Sequence, residues 1–311
     1  MAVQVKLSAR EGRSWGFMLP LSPMLLTPSQ TLPLHSYAFE FKWDGFRALV
    51  GLDRGRLSIH SRNLRDMTAD FPELQPLADS ARRQRLLLDG ELVCLGDDGR
   101  PSFDRIQQKL RHGFRAKHAV VFMIFDILEH NRRSMIPLSY LERRRHLDGF
   151  DLNGSHWRTP AYELDGTVAQ RVSRKHALEG IVAKQLVSSY RPGQRGREWL
   201  KIKNFQERAF LICGWRAADA RRKRGESLLI GHRDGDGEMQ YAGAVEFGFS
   251  RDTLQQIKRA LKDHVTQTAP SGAPFRLPGA TFCAPLVPAL IRFLEFSGGT
   301  VRHASFRSLL G

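Results

Sequence analysis

The segment from residue 37 to residue 44 alternates aromatic and charged side chains, and this alternation limits the fold more than any other feature of the chain. Successive side chains on a β-strand point to opposite faces. One face therefore carries Tyr37, Phe39, Phe41 and Trp43, and the other carries Glu40, Lys42 and Asp44. The pattern predicts a strand with an aromatic core face and an open face on which a lysine lies between two carboxylates. For Lys42 alone, a surface strand with solvated charges is the simpler interpretation.

The rest of the first two thirds of the chain mixes strand and helix patterns, which predicts an α+β fold. Asp44-Gly45 predicts a turn, after which the strand resumes. Further strands are predicted at 57–61, 86–95 (interrupted by Gly90), 119–128, 180–186 and 199–203. Helices are predicted at 70–83, 140–147 and 167–178, the last closed by Gly180. A loop rich in glycine and arginine covers 190–198.

The composition changes after Asn204, where short strands separated by turn signals follow one another. They are predicted at 210–215, 227–232, 239–247, 282–284 and 292–296. One helix follows Ser250, a candidate N-cap, and places Leu254, Ile257 and Leu261 on one face. Many short strands around one helix predict a small β-barrel. Because 311 residues exceed what one core usually serves, we expect two domains, residues 1–204 and 205–311.

The charge of the chain favours a polyanionic partner. Lysine and arginine total 48 against 32 aspartate and glutamate residues, which gives a formal charge of +16 and a pI near 10.4. Nucleic acid is the commonest partner of such a surface, although a solvated basic surface is the alternative. Charge alone does not separate an enzyme from a packaging protein.

The cysteines and the apolar segments of the chain indicate in which cellular compartment the protein is found. Cys94, Cys213 and Cys283 form no CxxC pair, so a disulfide framework or a zinc site is not expected. The longest apolar run, 119–128, is too short to span a bilayer, and the N-terminus lacks a signal-peptide profile. We therefore expect a cytoplasmic, nucleoid-associated protein without membrane contact.

Six segments resemble, in order, the motifs of the nucleotidyltransferase superfamily of DNA ligases, RNA ligases and capping enzymes. They are Lys42-Trp43-Asp44-Gly45-Phe46-Arg47, Ser61-Arg62-Asn63, Asp89-Gly90-Glu91, Phe122-Met123-Ile124-Phe125-Asp126, Glu179-Gly180-Ile181-Val182-Ala183-Lys184 and Trp199-Leu200-Lys201-Ile202-Lys203. Phe71-Pro72-Glu73-Leu74 and Pro101-Ser102-Phe103 are similar to segments of the bacterial ATP-dependent ligases of double-strand break end joining. Tyr241-Ala242-Gly243-Ala244-Val245 and Val301-Arg302-His303-Ala304-Ser305-Phe306 resemble parts of their second domain. The resemblance spans roughly residues 20 to 307 and implies an adenylation domain followed by an OB-fold.

The resemblance also implies roles for individual residues. Lys42 is the nucleophile that attacks the α-phosphate, a task that arginine cannot perform because it does not deprotonate. The other implied nucleotide contacts are Glu40, Arg47, Arg62 (ribose and phosphate), Glu91 (sugar), Phe125 (purine stacking, with Phe122 as the alternative), Arg195 (with Arg197 as the alternative), Lys201 and Lys203. Glu91 and Glu179 are the implied metal ligands. Strand alternation independently places Lys201 and Lys203 on one face, which suits a triphosphate, although an edge strand protected by lysines is an alternative.

The implied reaction uses ATP and Mg²⁺, with Mn²⁺ as an alternative, to seal duplex DNA. AMP passes from Lys42 to the 5′-phosphate of a nick, and the 3′-hydroxyl then displaces it. The expected partners are duplex DNA with nicks or ends and a Ku-like end-binding protein, and we expect a monomer. The loop 190–198 and the cluster Arg221-Arg222-Lys223-Arg224 are candidate contacts to the phosphate backbone, and a solvated hairpin tip is the alternative for the cluster.

One departure from the family pattern leaves other functions open. In the family, the segment after Phe306 continues into an Arg-x-Asp-Lys motif that orients pyrophosphate, whereas this chain ends at Ser308-Leu309-Leu310-Gly311. We therefore expect slow self-adenylation, or assistance from Arg302 or Arg307. The alternatives are an RNA ligase or capping-type nucleotidyltransferase, and a catalytically weakened relative that binds DNA ends.

Overall fold

The computed structural model describes residues 21–97, 99–112, 118–219 and 225–310, and the cluster 221–224 lies outside them. The chain divides into two compact units, residues 1–202 and 203–311. The strands up to the boundary are β1 (Leu25–Pro28), β2 (Tyr37–Phe41), β3 (Phe46–Asp53), β4 (Arg56–Ser61), β5 (Arg85–Cys94), β6 (Val120–His130), β7 (Arg133–Ser134), β8 (Trp157–Arg158), β9 (Gly180–Gln185) and β10 (Arg195–Lys203). The helices are α1 (Gln75–Ser80), α2 (Phe103–His112), α3 (Tyr140–Asp148) and α4 (Gly166–Lys175).

Two sheets form the first unit, and most of their strand pairs are antiparallel. One has the strand order β1-β10-β9-β2, and the other has the order β4-β3-β5-β6-β7, with β8 paired to β6. The strand segments predicted on either side of the turn at Asp44-Gly45 are β2 and β3, and they belong to different sheets. Residues 42–45 carry the chain between them, and Gly45 is required there because a Cβ would collide with the carbonyl oxygen of Leu92.

Each sheet covers an apolar core of its own. The larger core lies on β3, β4, β5 and β6, and it includes Val50, Ile59, Phe71, Leu88 and Ile124. The smaller one lies between β2, β9, β10 and α4, and it includes Phe39, Ala169, Ile181 and Ile202. Phe39 thus confirms the predicted core face of the strand at 37–41.

The second unit consists of β11 (Gln206–Arg216), β12 (Ser227–Arg233), β13 (Met239–Val245), α5 (Arg251–Leu261), β14 (Val265–Thr266), β15 (Ala280–Phe293), β16 (Glu295–Ser297), β17 (Thr300–Arg302) and β18 (Ser305–Leu309). Its main sheet has the order β13-β12-β11-β15-β14, with β18 paired to β15, and β16 pairs with β17. The predicted helix is confirmed: the hydroxyl of Ser250 accepts the Thr253 N–H, and Leu254, Ile257 and Leu261 are buried.

Several predicted boundaries were wrong, each for a local reason. The helix predicted at 70–83 is two 3₁₀ turns, at 68–70 and 72–74, followed by the short α1. Pro72 and Pro76 lack the N–H that a continuous helix needs. Gly180 does not close α4, because the helix ends at Lys175, Ala177 has a positive φ of 49°, and Gly180 begins β9.

Two strands are longer than predicted. β10 begins at residue 195, so the loop that precedes it is shorter than 190–198. β15 runs unbroken through the segment that was predicted to separate two short strands. Its register against β11 jumps between Phe282 and Val287, and this irregularity accommodates Pro285, which cannot donate to the ladder. Within the described residues, no helix is long and apolar enough to cross a membrane.

Candidate active site

A pocket lies between the two sheets of the first unit. Its lining is Leu26, Glu40, Phe41, Lys42, Trp43, Arg47, Glu91, Phe125, Val182, Lys184 and Trp199. Five residues predicted from the sequence are therefore brought together, although 85 positions separate Glu40 from Phe125 in the chain. The residue types are mixed: cations, carboxylates and aromatic rings share one cavity.

Lys42 directly follows the last residue of β2, and its ammonium group forms an ion pair with the carboxylate of Glu179. The two residues are brought together by the backbone, because the N–H of Lys42 donates to the carbonyl of Gly180 at 2.9 Å. The Lys42 side chain is 17% exposed and that of Glu179 is 5% exposed. An amine that can reach a ligand thus lies beside a carboxylate that water barely reaches.

Glu91 lies on β5 directly opposite Arg47 of β3. Burial raises the pKa of Glu91 to about 7, the neighbouring cations Arg47 and Lys42 oppose this rise, and the carboxylates of Glu179 and Asp89 add to it. The Glu91 carboxyl therefore changes its charge close to neutral pH.

Arg47 is fixed by a fully buried carboxylate. Its Nε and one Nη each donate to Asp89 at 2.5 Å. Burial lowers the pKa of Arg47, but the Asp89 carboxylate raises it by more, so the pKa lies above its ordinary value. The guanidinium lies 4.5 Å from the centre of the Phe125 ring. Phe125 lines the pocket, whereas the alternative Phe122 is fully buried in the larger core.

The charged face of β2 is not open, which corrects the prediction for Glu40. This side chain is 6% exposed, because side chains from α3 and β9 lie against it. The hydroxyl of Tyr140 donates to Glu40 Oε1 at 2.6 Å, and the ammonium of Lys184 lies 2.7 Å from Oε2. Arg144 Nη1 lies 3.7 Å from Oε1, so Glu40 is a fixed carboxylate with three partners in the pocket wall.

Lys184 and Trp199 are pocket residues to which the sequence reasoning gave no role. The Lys184 ammonium lies 4.3 Å from the centre of the Phe125 ring and 4.4 Å from that of Trp199. Burial lowers the pKa of Lys184, and Glu40 opposes this shift. The sequence did contain a signal for Lys184, which lies inside the apolar strand 180–185. A lysine buried in such a strand almost always has a partner. The indole nitrogen of Trp199 is buried and has no hydrogen-bond partner among the described residues.

The remaining predicted residues do not line the pocket. Arg62 is exposed in the turn after β4, and both Arg195 and its alternative Arg197 are exposed on β10. The Arg195 guanidinium donates to the carbonyl of Leu26. Lys201 is half-buried and lies two residues beyond Trp199, on the same face of β10 by strand alternation.

Lys203 ends β10 and is also half-buried. In the second unit, the arginines expected to assist pair with carboxylates: Arg302 with Glu295 at 3.0 Å, and Arg307 with Glu207 at 3.2 Å.

The described residues contain no group of three or more His, Cys, Asp or Glu side chains arranged to hold a metal ion. Two carboxylates, Glu91 and Glu179, do lie close enough to Lys42 to interact with it electrostatically or by direct contact. Magnesium is commonly bound by one or two carboxylates together with substrate phosphates. The donor set therefore fits a metal ion that binds with a phosphorylated ligand.

Comparisons with known proteins point to one family. A family model described as the ATP dependent DNA ligase domain matches residues 29–203, and one described as the ATP dependent DNA ligase C terminal region matches residues 221–309. The multifunctional non-homologous end joining protein LigD of Mycobacterium bovis is 36% identical over 300 residues, which cover 93% of this chain and 38% of that protein. The chain thus spans little more than a third of that relative's length.

Solved structures agree with this assignment. The structure described as mycobacterial DNA ligase D complexed with ATP and MES is 35% identical, has a TM-score of 0.58, and aligns over 93% of this chain and 95% of its own. The ligase domain of Mycobacterium tuberculosis LigD gives the same identity, coverage and TM-score. With two family models that together match most of its length, the chain belongs to the ATP-dependent DNA ligase family.

Proposed function

We propose that this chain is an ATP-dependent DNA ligase in which Lys42 carries AMP. The observation that supports this most is the placement of Lys42, whose amine lies in a pocket with an aromatic platform and is paired with Glu179. Family membership supports the same reaction, and the ATP bound in the mycobacterial relative supports ATP as the substrate.

The chemistry that we propose for Lys42 is a displacement at the α-phosphate. The neutral amine forms a P–N bond, the bond from the α-phosphorus to the bridging oxygen breaks, and pyrophosphate leaves with the electron pair. Lys42 must lose a proton for this attack, and the Glu179 carboxylate is in direct contact with that ammonium and able to receive it. Because phosphoryl transfer requires little covalent help, positioning by the pocket walls carries most of the catalysis.

The pocket suits the adenosine part of ATP. Phe125 offers a ring for stacking, Glu40 offers a fixed acceptor, and Trp199 has a buried N–H for which the described part of the chain provides no acceptor. A ligand acceptor near that indole would satisfy a donor that otherwise costs free energy to bury. Arg47, close to the same ring, is a cation for the phosphate side.

Glu91 and Glu179 are the residues that would hold Mg²⁺ or Mn²⁺. When bound there, the metal would offset the negative charge of the phosphates. The raised pKa of Glu91 implies that metal binding at this carboxylate is favoured above pH 7, where it is ionised.

For the remaining steps, we propose that AMP passes to the 5′-phosphate of duplex DNA and that the 3′-hydroxyl then seals the strand. The formal charge of +16 supports a DNA partner, and the LigD relatives support a role in end joining, with a Ku-like protein as a candidate partner. We assign residues 1–204 to an adenylation domain and residues 205–311 to an OB-fold. We propose that the protein acts on DNA as a monomer, in the cytoplasm and at the nucleoid.

Intact mass spectrometry after incubation with ATP and Mg²⁺ tests this proposal. The wild-type chain is expected to gain the mass of one AMP, and Lys42→Ala is expected to gain none. Lys175→Ala, which removes an exposed lysine at the end of α4, is the matched control and should label normally. The adenylated protein is then offered nicked DNA or nicked RNA. A wild-type chain that neither gains AMP nor seals DNA would falsify the proposal.

A further inference from the structure

Tyr190 connects three parts of the first unit through its hydroxyl group. This hydroxyl donates to Asp89 Oδ2 at 2.6 Å and accepts the backbone N–H of Met24 at 2.9 Å. Tyr190 is 2% exposed and Asp89 is fully buried. Water therefore does not compete for these contacts, and the orientation of the hydroxyl is fixed by its two partners.

Asp89 transmits this constraint to Arg47. Its Oδ2 accepts from both Tyr190 and the Arg47 guanidinium, and its Oδ1 accepts from Arg47 Nε. A bidentate fork of this kind fixes the plane of the guanidinium as well as its distance. Of these residues, Arg47 alone lines the pocket, and it does so 4.5 Å from the Phe125 ring.

We propose that Tyr190 is a positioning residue for nucleotide binding, because its hydroxyl fixes Asp89 and thereby the Arg47 guanidinium at the pocket. This inference rests on the proposed function, in which Arg47 meets ATP. Its consequence is that the backbone of Met24 is coupled to the geometry of the pocket, although neither Met24 nor Tyr190 lines it.

The substitution Tyr190→Phe isolates the hydroxyl. The ring keeps its edge-to-face contact with Trp199 at 5.5 Å and its place beside Arg143 at 5.6 Å. Loss of the hydroxyl leaves the N–H of Met24 without its acceptor and Asp89 with one donor fewer. Because the lost hydrogen bond is made to a buried, charged group that fixes Arg47, we expect the half-saturating ATP concentration for self-adenylation to rise by about tenfold.

A double-mutant cycle with Arg47→Ala distinguishes positioning from general damage to the fold. If Tyr190 acts through Arg47, Tyr190→Phe should raise the half-saturating ATP concentration about tenfold in the wild-type background and less than about twofold in the Arg47→Ala background. Tyr37→Phe is the matched control, because its hydroxyl donates to the carbonyl of Arg197 and Tyr37 does not line the pocket, so ATP saturation should not change.

Asp89→Asn interrupts the same connection at Asp89, and it replaces Tyr190→Phe as the test variant if Tyr190→Phe does not fold. It should raise the half-saturating ATP concentration, with less than about twofold further effect in the Arg47→Ala background. An equal effect of either substitution with and without Arg47 overturns the positioning role while the ligase proposal stands. A wild-type chain that gains no AMP overturns both.

Discussion

The pKa of Glu91 makes the stability of this protein depend on pH in a direction opposite to that of most carboxylates. Burial raises this pKa from 4.5 to about 7. Between these two values the folded chain binds more protons at Glu91 than the unfolded chain does. The contribution of Glu91 to stability must therefore fall as the pH rises through this window, and it is fully retained only below about pH 4.5.

The magnitude follows from the same two values. A difference of one pKa unit corresponds to 1.36 kcal/mol, so ionised Glu91 destabilises the fold by about 3 kcal/mol well above pH 7. Between pH 5 and pH 8.5 the expected change is about 2.5 kcal/mol. Because water reaches part of the half-buried Glu91 side chain, this change in stability is an upper limit.

Glu91→Gln removes the ionisation and keeps the shape of the side chain. Urea unfolding of wild type and variant, followed by circular dichroism from pH 5 to pH 8.5, should show the variant gaining stability relative to wild type as the pH rises. Glu238→Gln is the control, since Glu238 is exposed in a turn of the second unit. A stability difference between Glu91→Gln and wild type that stays constant across this range, or that shrinks with rising pH, refutes the reasoning.

Three further substitutions test other parts of the first unit. Gly90→Ala places a Cβ against the ring of Phe122, so we expect a loss of about 1–3 kcal/mol in urea unfolding, and an unchanged midpoint would contradict the close approach. Asp126→Asn leaves Arg143, which is 0% exposed, without its bidentate counter-ion at 2.7 and 2.8 Å, and this should cost about 3–5 kcal/mol by the same measurement. Phe125→Leu keeps apolar bulk but removes the stacking ring, so ATP binding should weaken by about 1–3 kcal/mol in adenylation assays, and an unchanged half-saturating ATP concentration would exclude stacking.

Local periodicity predicted where many of the elements lie, but it did not predict how the strands pair. The strands at 57–61 and 180–186 and the helix after Ser250 follow directly from spacing that the chain shows locally. The pairing of β2 with β9 joins segments more than a hundred residues apart, and the contact between Lys42 and Glu179 depends on it. Only the order of the family motifs placed those two residues in one site.

Burial of polar groups was the main property that alternation could not supply. Strand alternation predicts that the face of β2 with Glu40 is solvated. In the structure, Tyr140 and Lys184 cover that face and provide partners for both carboxylate oxygens of Glu40. Those partners come from α3 and β9, so no window of sequence around residue 40 contains the information. A buried carboxylate is stable only when such partners are present, which is why the correction concerns Glu40 and Lys184 together.

The charges in and against the pocket lining balance, so the lining alone offers little attraction to a triphosphate. Lys42, Arg47 and Lys184, together with Arg144 beside Glu40, provide four positive charges, and Glu40, Asp89, Glu91 and Glu179 provide four carboxylates. With Glu91 ionised, this set is neutral overall. The site that we propose therefore needs additional cations, which a divalent metal at Glu91 and Glu179 would provide in part. The predicted nucleotide contacts outside the lining, Arg62, Arg195, Lys201 and Lys203, are all cations, and a phosphate-binding role for them would supply the charge that the pocket lacks.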